Sequence, residues 1–175
     1  MGTDRRILYT KMVIREALDK LLAKSTLEQI TIKEICAEAG INRATFYRNY
    51  EDIYDLFGSI EKKLIKEAFP EGLTNGNRDK LLHVIYENQS FYKEFFRSRT
   101  ETPYIRQVIE EMGETMRGLV SMGTRIDEKQ FLFSYRYTLH GILGMLKDWV
   151  DGGCTQTPDE FGKMLFDIVD RQYGQ

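Results

Sequence analysis

Residues 31–50 have the sequence TIKEICAEAGINRATFYRNY, and this stretch decides the fold. Thr31 and Glu34 have the spacing of a capping box, in which a hydroxyl and a carboxylate each satisfy a backbone N–H at the start of a helix. Gly40 follows about two turns later, where a left-handed residue closes a helix. Asn42 is then a good N-cap for a further helix through Tyr50. The stretch therefore predicts two short helices on either side of a glycine turn, which is the helix-turn-helix arrangement.

The second helix of such a motif enters the major groove of DNA with its N-terminal residues facing base edges. At about 100° per residue, Phe46 and Tyr50 fall on one side of this helix and face the core. The exposed arc then carries Arg43, Ala44, Tyr47 and Arg48. Because Phe46 and Tyr50 already fill the inner face, a partner explains Tyr47 better than a core position does. The alternative is an ordinary three-helix packing unit with all three rings in the core.

The side chains of this helix have the chemistry of DNA contacts. Arg43 suits the O6 and N7 acceptors of guanine, and the methyl group of Ala44 suits that of thymine. The polar side chains that suit phosphates are Thr45, Tyr47, Arg48 and Asn49. The N–H groups and the dipole at the start of the preceding helix, at Thr31, offer another phosphate site.

Residues 31–50 resemble the DNA-binding domain of the tetracycline-repressor (TetR) family of bacterial transcription regulators, and the resemblance extends from about residue 6 to residue 69. It is carried by Gly40, by the Thr45-Phe46-Tyr47 core and by a fourth helix that opens at Glu51. The resemblance implies base contacts from Lys33, Arg43 and Ala44. It implies phosphate contacts from Thr31, Thr45, Tyr47, Arg48 and Asn49. One position departs from the family pattern, because Ile53 stands where many members have a phosphate-binding lysine.

The rest of the chain also predicts helices, so the fold class is all-α. Only three prolines occur in 175 residues, and 42% of the residues are hydrophobic, which permits a real core. An amphipathic helix runs from Thr3 or Asp4 to about Lys24. We expect a DNA-binding domain of three helices over residues 1–50, a helical ligand-binding and dimerisation domain over 51–175, and about nine helices in all. Helix four, about 52–69, is expected to connect the two domains.

Charge is distributed unevenly along the chain. The net charge is −2, but residues 1–50 hold nine Lys or Arg and six Asp or Glu, which leaves residues 51–175 with a net charge of −5. This asymmetry fits a small basic module on a larger acidic body. The basic module coincides with the segment that carries the helix-turn-helix.

The segment from Glu128 to Val150 predicts a helix that is apolar on two sides. A second copy of the chain is a plausible second burying surface, with glycines permitting close approach of helix backbones, although both sides could instead face the core of the monomer. The resemblance implies that the last two long helices pair into a four-helix bundle. The expected dimer interface consists of Leu139, Gly141, Ile142, Gly144, Met145, Trp149, Phe161 and Leu165.

Aromatic and methionine side chains in the body form a candidate pocket for a small-molecule effector. The candidate lining residues are Phe91, Tyr92, Phe95, Met112, Met116, Phe131 and Tyr135. Such a cluster is also compatible with an ordinary core.

The sequence contains no phosphate loop, nucleophile elbow or zinc-ligand spacing, so neither an enzyme nor a cofactor or metal site is expected. Two cysteines in dissimilar contexts, and the absence of a signal peptide or a membrane span, favour a cytoplasmic protein. The most consistent function is a ligand-responsive repressor that binds a palindromic operator as a homodimer. The alternative is a helical coregulator that acts through a partner protein with weak or no DNA binding of its own.

Overall fold

The computed structural model describes residues 2–69, 78–98 and 127–173, together with parts of 106–117. Within these residues every regular element is a helix, which confirms the predicted all-α class. The α-helices are α1 (Gly2–Leu22), α2 (Ile32–Ala39), α3 (Arg43–Tyr47), α4 (Ile53–Ala68), α5 (Arg78–Glu87), α6 (Gln89–Ser98), α7 (Glu128–Asp151) and α8 (Pro158–Tyr173). A 3-10 turn, Leu27–Gln29, joins α1 to α2. The described residues between 106 and 117 are also helical.

The chain divides into two compact units, Met1–Leu64 and Ile65–Gln175. The division falls inside α4, which is one continuous helix. The expected domain boundary at residue 50 and the role of α4 as a connector remain predictions. Among the described residues, no helix combines the length and the apolar character that a membrane crossing requires.

The core of the first unit lies where α1, α2 and α3 meet. Ile14, Leu18, Ile35 and Phe46 are fully buried there. An ion pair also joins α1 to α2, because the Lys20 ammonium lies 2.9 Å from the Glu38 carboxylate. This packing holds α2 and α3 in a fixed arrangement on α1.

In the first unit, residues nearby in the sequence determine where α2 and α3 begin and end. The capping box at Thr31 is present, and Gly40 closes α2 in the left-handed conformation with φ of +65°. The prediction for the end of α3 was wrong, because the helix ends at Tyr47 and not at Tyr50. The Asn49 side chain donates from Nδ2 to the Thr45 carbonyl at 2.8 Å. It thus takes the acceptor that the next backbone N–H of the helix would use, and so competes with the helix.

In the second unit α5 packs against α8 and α6 against α7. Trp149 lies between two rings: its centroid is 4.4 Å from that of Phe161, nearly parallel, and 6.2 Å from that of Tyr86. The indole N–H donates to the Gln156 carbonyl at 3.1 Å. Thr157 caps α8, with its hydroxyl accepting from the Glu160 N–H at 3.3 Å. Pro103 and most of the helical sequence pattern that follows it lie outside the described residues.

Gly162 of α8 packs closely against α5, so we expect that this position does not tolerate a larger side chain. A Cβ atom at Gly162 would lie 2.9 Å from Cδ1 of Leu82, a buried side chain with little room to move. Gly162→Val should therefore lower the free energy of unfolding by about 1–3 kcal/mol. Gly58→Val is the matched control, because a Cβ atom on that helical glycine meets no atom of the described residues within 4 Å. The midpoint of urea unfolding is measured for each variant by circular dichroism. Equal midpoints for the two variants would contradict the close packing at Gly162.

Candidate nucleic-acid interface

The start of α3 is fixed by Asn42. Its Oδ1 atom accepts from the Thr45 N–H at 2.8 Å and from the Thr45 hydroxyl at 3.0 Å. Both residues are held by this pair of hydrogen bonds, and Arg43, the first helical residue, takes no part in it. The first turn of α3 therefore keeps its shape whatever the Arg43 side chain contacts.

The aromatic rings of Phe46 and Tyr47 on α3, and of Tyr50 just after it, differ in their exposure to solvent. Phe46 is fully buried and Tyr50 is buried, whereas Tyr47 is 56% exposed. The Tyr47 ring meets Phe46 only through an edge-to-face contact, at 5.8 Å between centroids. This exposure contradicts the alternative in which all three rings lie in the core. Arg43, Ala44 and Arg48 are also exposed, as the sequence predicts.

Three of the expected phosphate contacts already make hydrogen bonds within α3 and its C-terminal turn. Arg48 donates from Nη2 to the Thr45 hydroxyl at 2.9 Å and from Nε to the Ala44 carbonyl at 3.3 Å. The guanidinium has five N–H donors, so these bonds orient it and leave others for a ligand. Asn49 is half-buried, and its bond to Thr45 terminates the helix. Arg48 is thus pre-positioned at the surface, while Asn49 has an evident structural role.

The Glu34 side chain of α2 occupies the N-terminal end of the same helix. The Thr31 N–H and hydroxyl donate to Oε2 of Glu34 at 2.8 and 2.7 Å. These bonds, the hydroxyl first, lower the pKa of Glu34 below its ordinary value. A negative charge therefore lies where the sequence predicts a phosphate contact, and the N–H groups left for a phosphate are those of Ile32 and Lys33. The Lys33 side chain is exposed beside them.

A cleft of about 1060 Å³ opens between the first turns of α1 and the C-terminal end of α3. It is lined by Arg5, Arg6, Ile7, Tyr9, Thr10, Lys11, Thr45, Arg48 and Asn49. The sequence predicts α1 as an amphipathic helix but does not predict that Arg5 and Lys11 line a cleft with residues from the end of α3. The sequence carries one signal for the cleft, which is the apolar Ile7 on the helix face of Ile14. In the structure Ile14 is fully buried, but Ile7 is 45% exposed. The N-terminal end of α1 thus extends beyond the core.

The candidate effector residues lie on helices that pack together. Phe91 and Tyr92 are buried in α6, and Phe95 is half-buried in ring contact with Tyr92 at 6.1 Å between centroids. On α7 the Phe131 and Tyr135 rings stack at 6.1 Å. The Tyr135 hydroxyl donates to the Ile109 carbonyl at 2.8 Å, and burial raises the pKa of this phenol. Two further candidates, Met112 and Met116, lie outside the described residues.

The expected dimer residues fall into two groups. Trp149, Phe161 and Leu165 are buried within the chain itself. The other five lie on α7, where Gly141 and Gly144 are exposed and Leu139, Ile142 and Met145 are half-buried.

The most exposed apolar side chains of α7 are not among the expected dimer residues. Phe133 is 73% exposed and Tyr137 is 72% exposed. Both share the helix face of Gly141 and Gly144, at spacings of three and four residues, so the period of 3.6 could have found them. Met164 of α8 is another exposed apolar residue.

Two family models match the chain. Residues 14–60 match the model described as "Bacterial regulatory proteins, tetR family", and residues 78–171 match a TetR-type model described as "Transcriptional regulator C-terminal region". No curated protein sequence matches significantly.

Solved structures share the fold at low sequence identity. One is a TetR transcriptional regulator from Streptococcus agalactiae 2603V, with a TM-score of 0.65, 22% identity, and coverage of 97% of this chain and 98% of that chain. Another, titled "Dihydroxyacetone kinase operon activator DhaS", has a TM-score of 0.64, 18% identity, and coverage of 93% of this chain and 95% of that chain.

Proposed function

The chain belongs to the TetR family of bacterial transcription regulators, which are DNA-binding factors and not enzymes, and on that premise we propose that it is a ligand-responsive repressor that binds a palindromic operator as a homodimer. The observation that carries the proposal is the surface of α3, where Tyr47 is exposed beside the buried Phe46. An exposed aromatic ring beside two arginines, Arg43 and Arg48, is typical of a surface that binds duplex DNA.

We divide the proposed contacts by position on the motif. Arg43, Ala44 and Lys33 would contact base edges, because the first two are exposed at the start of α3 and the third is exposed in the first turn of α2. The proposed phosphate contacts are Thr31, Thr45, Tyr47, Arg48 and Asn49. Arg48 has the best support among them, because its guanidinium is exposed and already oriented.

The dimer is proposed through α7 and α8. Phe133 and Tyr137 expose large apolar rings on the face of α7 that also carries Gly141 and Gly144. Exposed apolar side chains that share one face, next to glycines that admit a second backbone, favour an isologous contact with another copy. The buried Trp149, Phe161 and Leu165 would then support this face from within the chain.

The effector site is proposed among the half-buried rings of α6 and α7, with Phe95, Phe131 and Tyr135 lining it. The buried Phe91 and Tyr92 would form its inner wall. A ligand there would act on DNA binding through α4, which continues from the first unit into the second.

A mobility-shift titration with the DNA upstream of the chain's own gene tests the proposal. We expect a specific complex at nanomolar protein, within the range of about 10⁻⁸–10⁻¹¹ M for specific binding. We also expect transcription from that promoter to rise when the gene is deleted. Weak binding that is equal on all sequences would favour the coregulator alternative, and a fall in transcription would indicate activation.

The carboxylate at the start of α2 predicts a variant that binds DNA more tightly. Glu34→Gln keeps the capping box, because glutamine serves at this position, but it removes the negative charge beside the proposed phosphate site. Binding to every duplex should strengthen several-fold. Glu28→Gln, an exposed carboxylate before α2, is the control and should have little effect. An unchanged affinity for Glu34→Gln would remove Thr31 from the proposed contacts.

A further inference from the structure

We propose that the cleft between the first turns of α1 and the end of α3 binds the sugar-phosphate backbone of duplex DNA, next to the base pairs that α3 contacts. The inference rests on the proposed function and deepens it, because it adds a second region of contact with the same duplex. It assigns DNA contacts to four residues of α1, namely Arg5, Arg6, Tyr9 and Lys11.

Charge complementarity is the first argument for a nucleic-acid occupant. Arg5, Arg6 and Lys11 enter the cleft from α1, and Arg48 enters it from α3. Among the residues that the structure describes, those lining the cleft include no Asp or Glu. Duplex DNA carries one negative charge per about 1.7 Å of its axis, so cations that converge from two helices can neutralise neighbouring phosphates. Four of the nine Lys and Arg residues among the first fifty thus line this cleft.

The other lining side chains also suit a nucleotide backbone. Tyr9 carries a phenolic hydroxyl, which is a common donor to phosphate oxygens, whereas the Thr10 hydroxyl already donates to the Arg6 carbonyl at 2.9 Å. Ile7, at 45% exposure, offers an apolar surface for deoxyribose. A volume of about 1060 Å³ in an open cleft suits a segment of an extended chain.

The cleft shares lining residues with the proposed DNA contacts of α3, which favours DNA over another acidic ligand. Thr45, Arg48 and Asn49 line the cleft and also belong to the proposed phosphate contacts of α3. A duplex seated on Arg43 and Tyr47 therefore passes the mouth of the cleft without a gap between the two sets of contacts. An acidic protein segment would have to displace the DNA to reach the same residues.

The test uses the 175-residue chain with the double substitution Arg5→Gln/Arg6→Gln. The probe is a duplex that the wild-type protein selects from a randomised pool. Between about 50 and 200 mM salt, the slope of log affinity against log salt should become less steep by about 0.9 for each lost cation. Two cations in each of two protomers give a change of about 3.6. The preferred sequence should not change.

Two control variants separate charge from other effects. Arg5→Lys/Arg6→Lys keeps both charges and should keep most of the slope. Lys24→Gln removes an exposed cation that lies just beyond the other end of α1 and outside the cleft, so it should leave the slope unchanged.

Ethylation of single phosphates in the same duplex gives an independent readout. Some ethylated phosphates should weaken wild-type binding but not binding of the glutamine double variant, and they should flank the bases that Arg43 specifies. A double variant with the wild-type slope and interference pattern overturns the inference and leaves the proposed function intact. If that variant instead loses only binding to poly-glutamate, the cleft belongs to an acidic protein segment. A wild-type chain that selects no sequence overturns both proposals.

Discussion

Arg43→Ala should lower the affinity for the selected operator by about 1–3 kcal/mol at each half-site and relax the preference for one base pair. In the proposed dimer the two half-sites are equivalent and far apart, so the two losses should add to about 2–6 kcal/mol, or at least about 30-fold. The fold should not change, because the cap of α3 is made by Asn42 and Thr45 without Arg43. The measurement is the affinity of the wild-type and Arg43→Ala proteins for a set of operator variants.

Tyr47→Phe is the matched comparison. It removes one exposed hydroxyl and keeps the ring that contacts Phe46. A hydroxyl that donates to a phosphate contributes affinity without sequence information, so every duplex should be bound more weakly by a similar factor. If Arg43→Ala also lowers binding equally on all sequences, Arg43 contacts a phosphate and its assignment to a base is wrong.

The elements of the DNA-binding unit were predictable because local chemistry determines them. The Thr31 capping box, the left-handed Gly40 and the Asn42 cap each depend on residues within four positions in the chain. The early end of α3 is local too, since Asn49 donates back to Thr45. Periodicity alone could not predict it, because a side chain that competes for a carbonyl has no apolar signature.

The cleft and the occupied start of α2 depend on more than periodicity. The cleft forms because α1 continues beyond the core and places Arg5 and Arg6 beside Arg48, which lies more than forty positions away in the chain. At Thr31 the capping box was predicted, but its carboxylate is also a charge beside the expected phosphate contact. Charge patterning indicated a basic module, and only the packed helices show where its cations converge.

The two-sided apolar pattern of α7 predicted burial but not which residues the chain itself covers. Trp149 is buried between Tyr86 and Phe161 of the same chain. Phe133 and Tyr137 remain exposed on the opposite side. Hydrophobicity is similar for the two sets, so only the packing of α7 on its neighbours distinguishes core from candidate interface.

Gly144→Arg should convert the protein into a folded monomer that has lost specific operator binding. A Cβ atom at Gly144 meets no atom within 4 Å in the described part of the chain, so the monomer accommodates the larger side chain. In an isologous contact the same position from both copies would meet near the two-fold axis, where two guanidiniums add bulk and repel each other. Gly144→Ala is the control, because it adds only a methyl group and favours the helix by about 1 kcal/mol.

Loss of the dimer should lower operator affinity by orders of magnitude, because one helix-turn-helix with few cations binds weakly alone. Two modules on one duplex gain about 10²–10⁴-fold from the high effective concentration of the second. Sedimentation, circular dichroism and a binding titration on wild type, Gly144→Arg and Gly144→Ala separate the possible causes. Wild-type protein that stays monomeric at tens of micromolar, far above the ~nM range of specific binding, contradicts the dimer. A monomeric Gly144→Arg protein with full operator affinity shows instead that one recognition helix suffices.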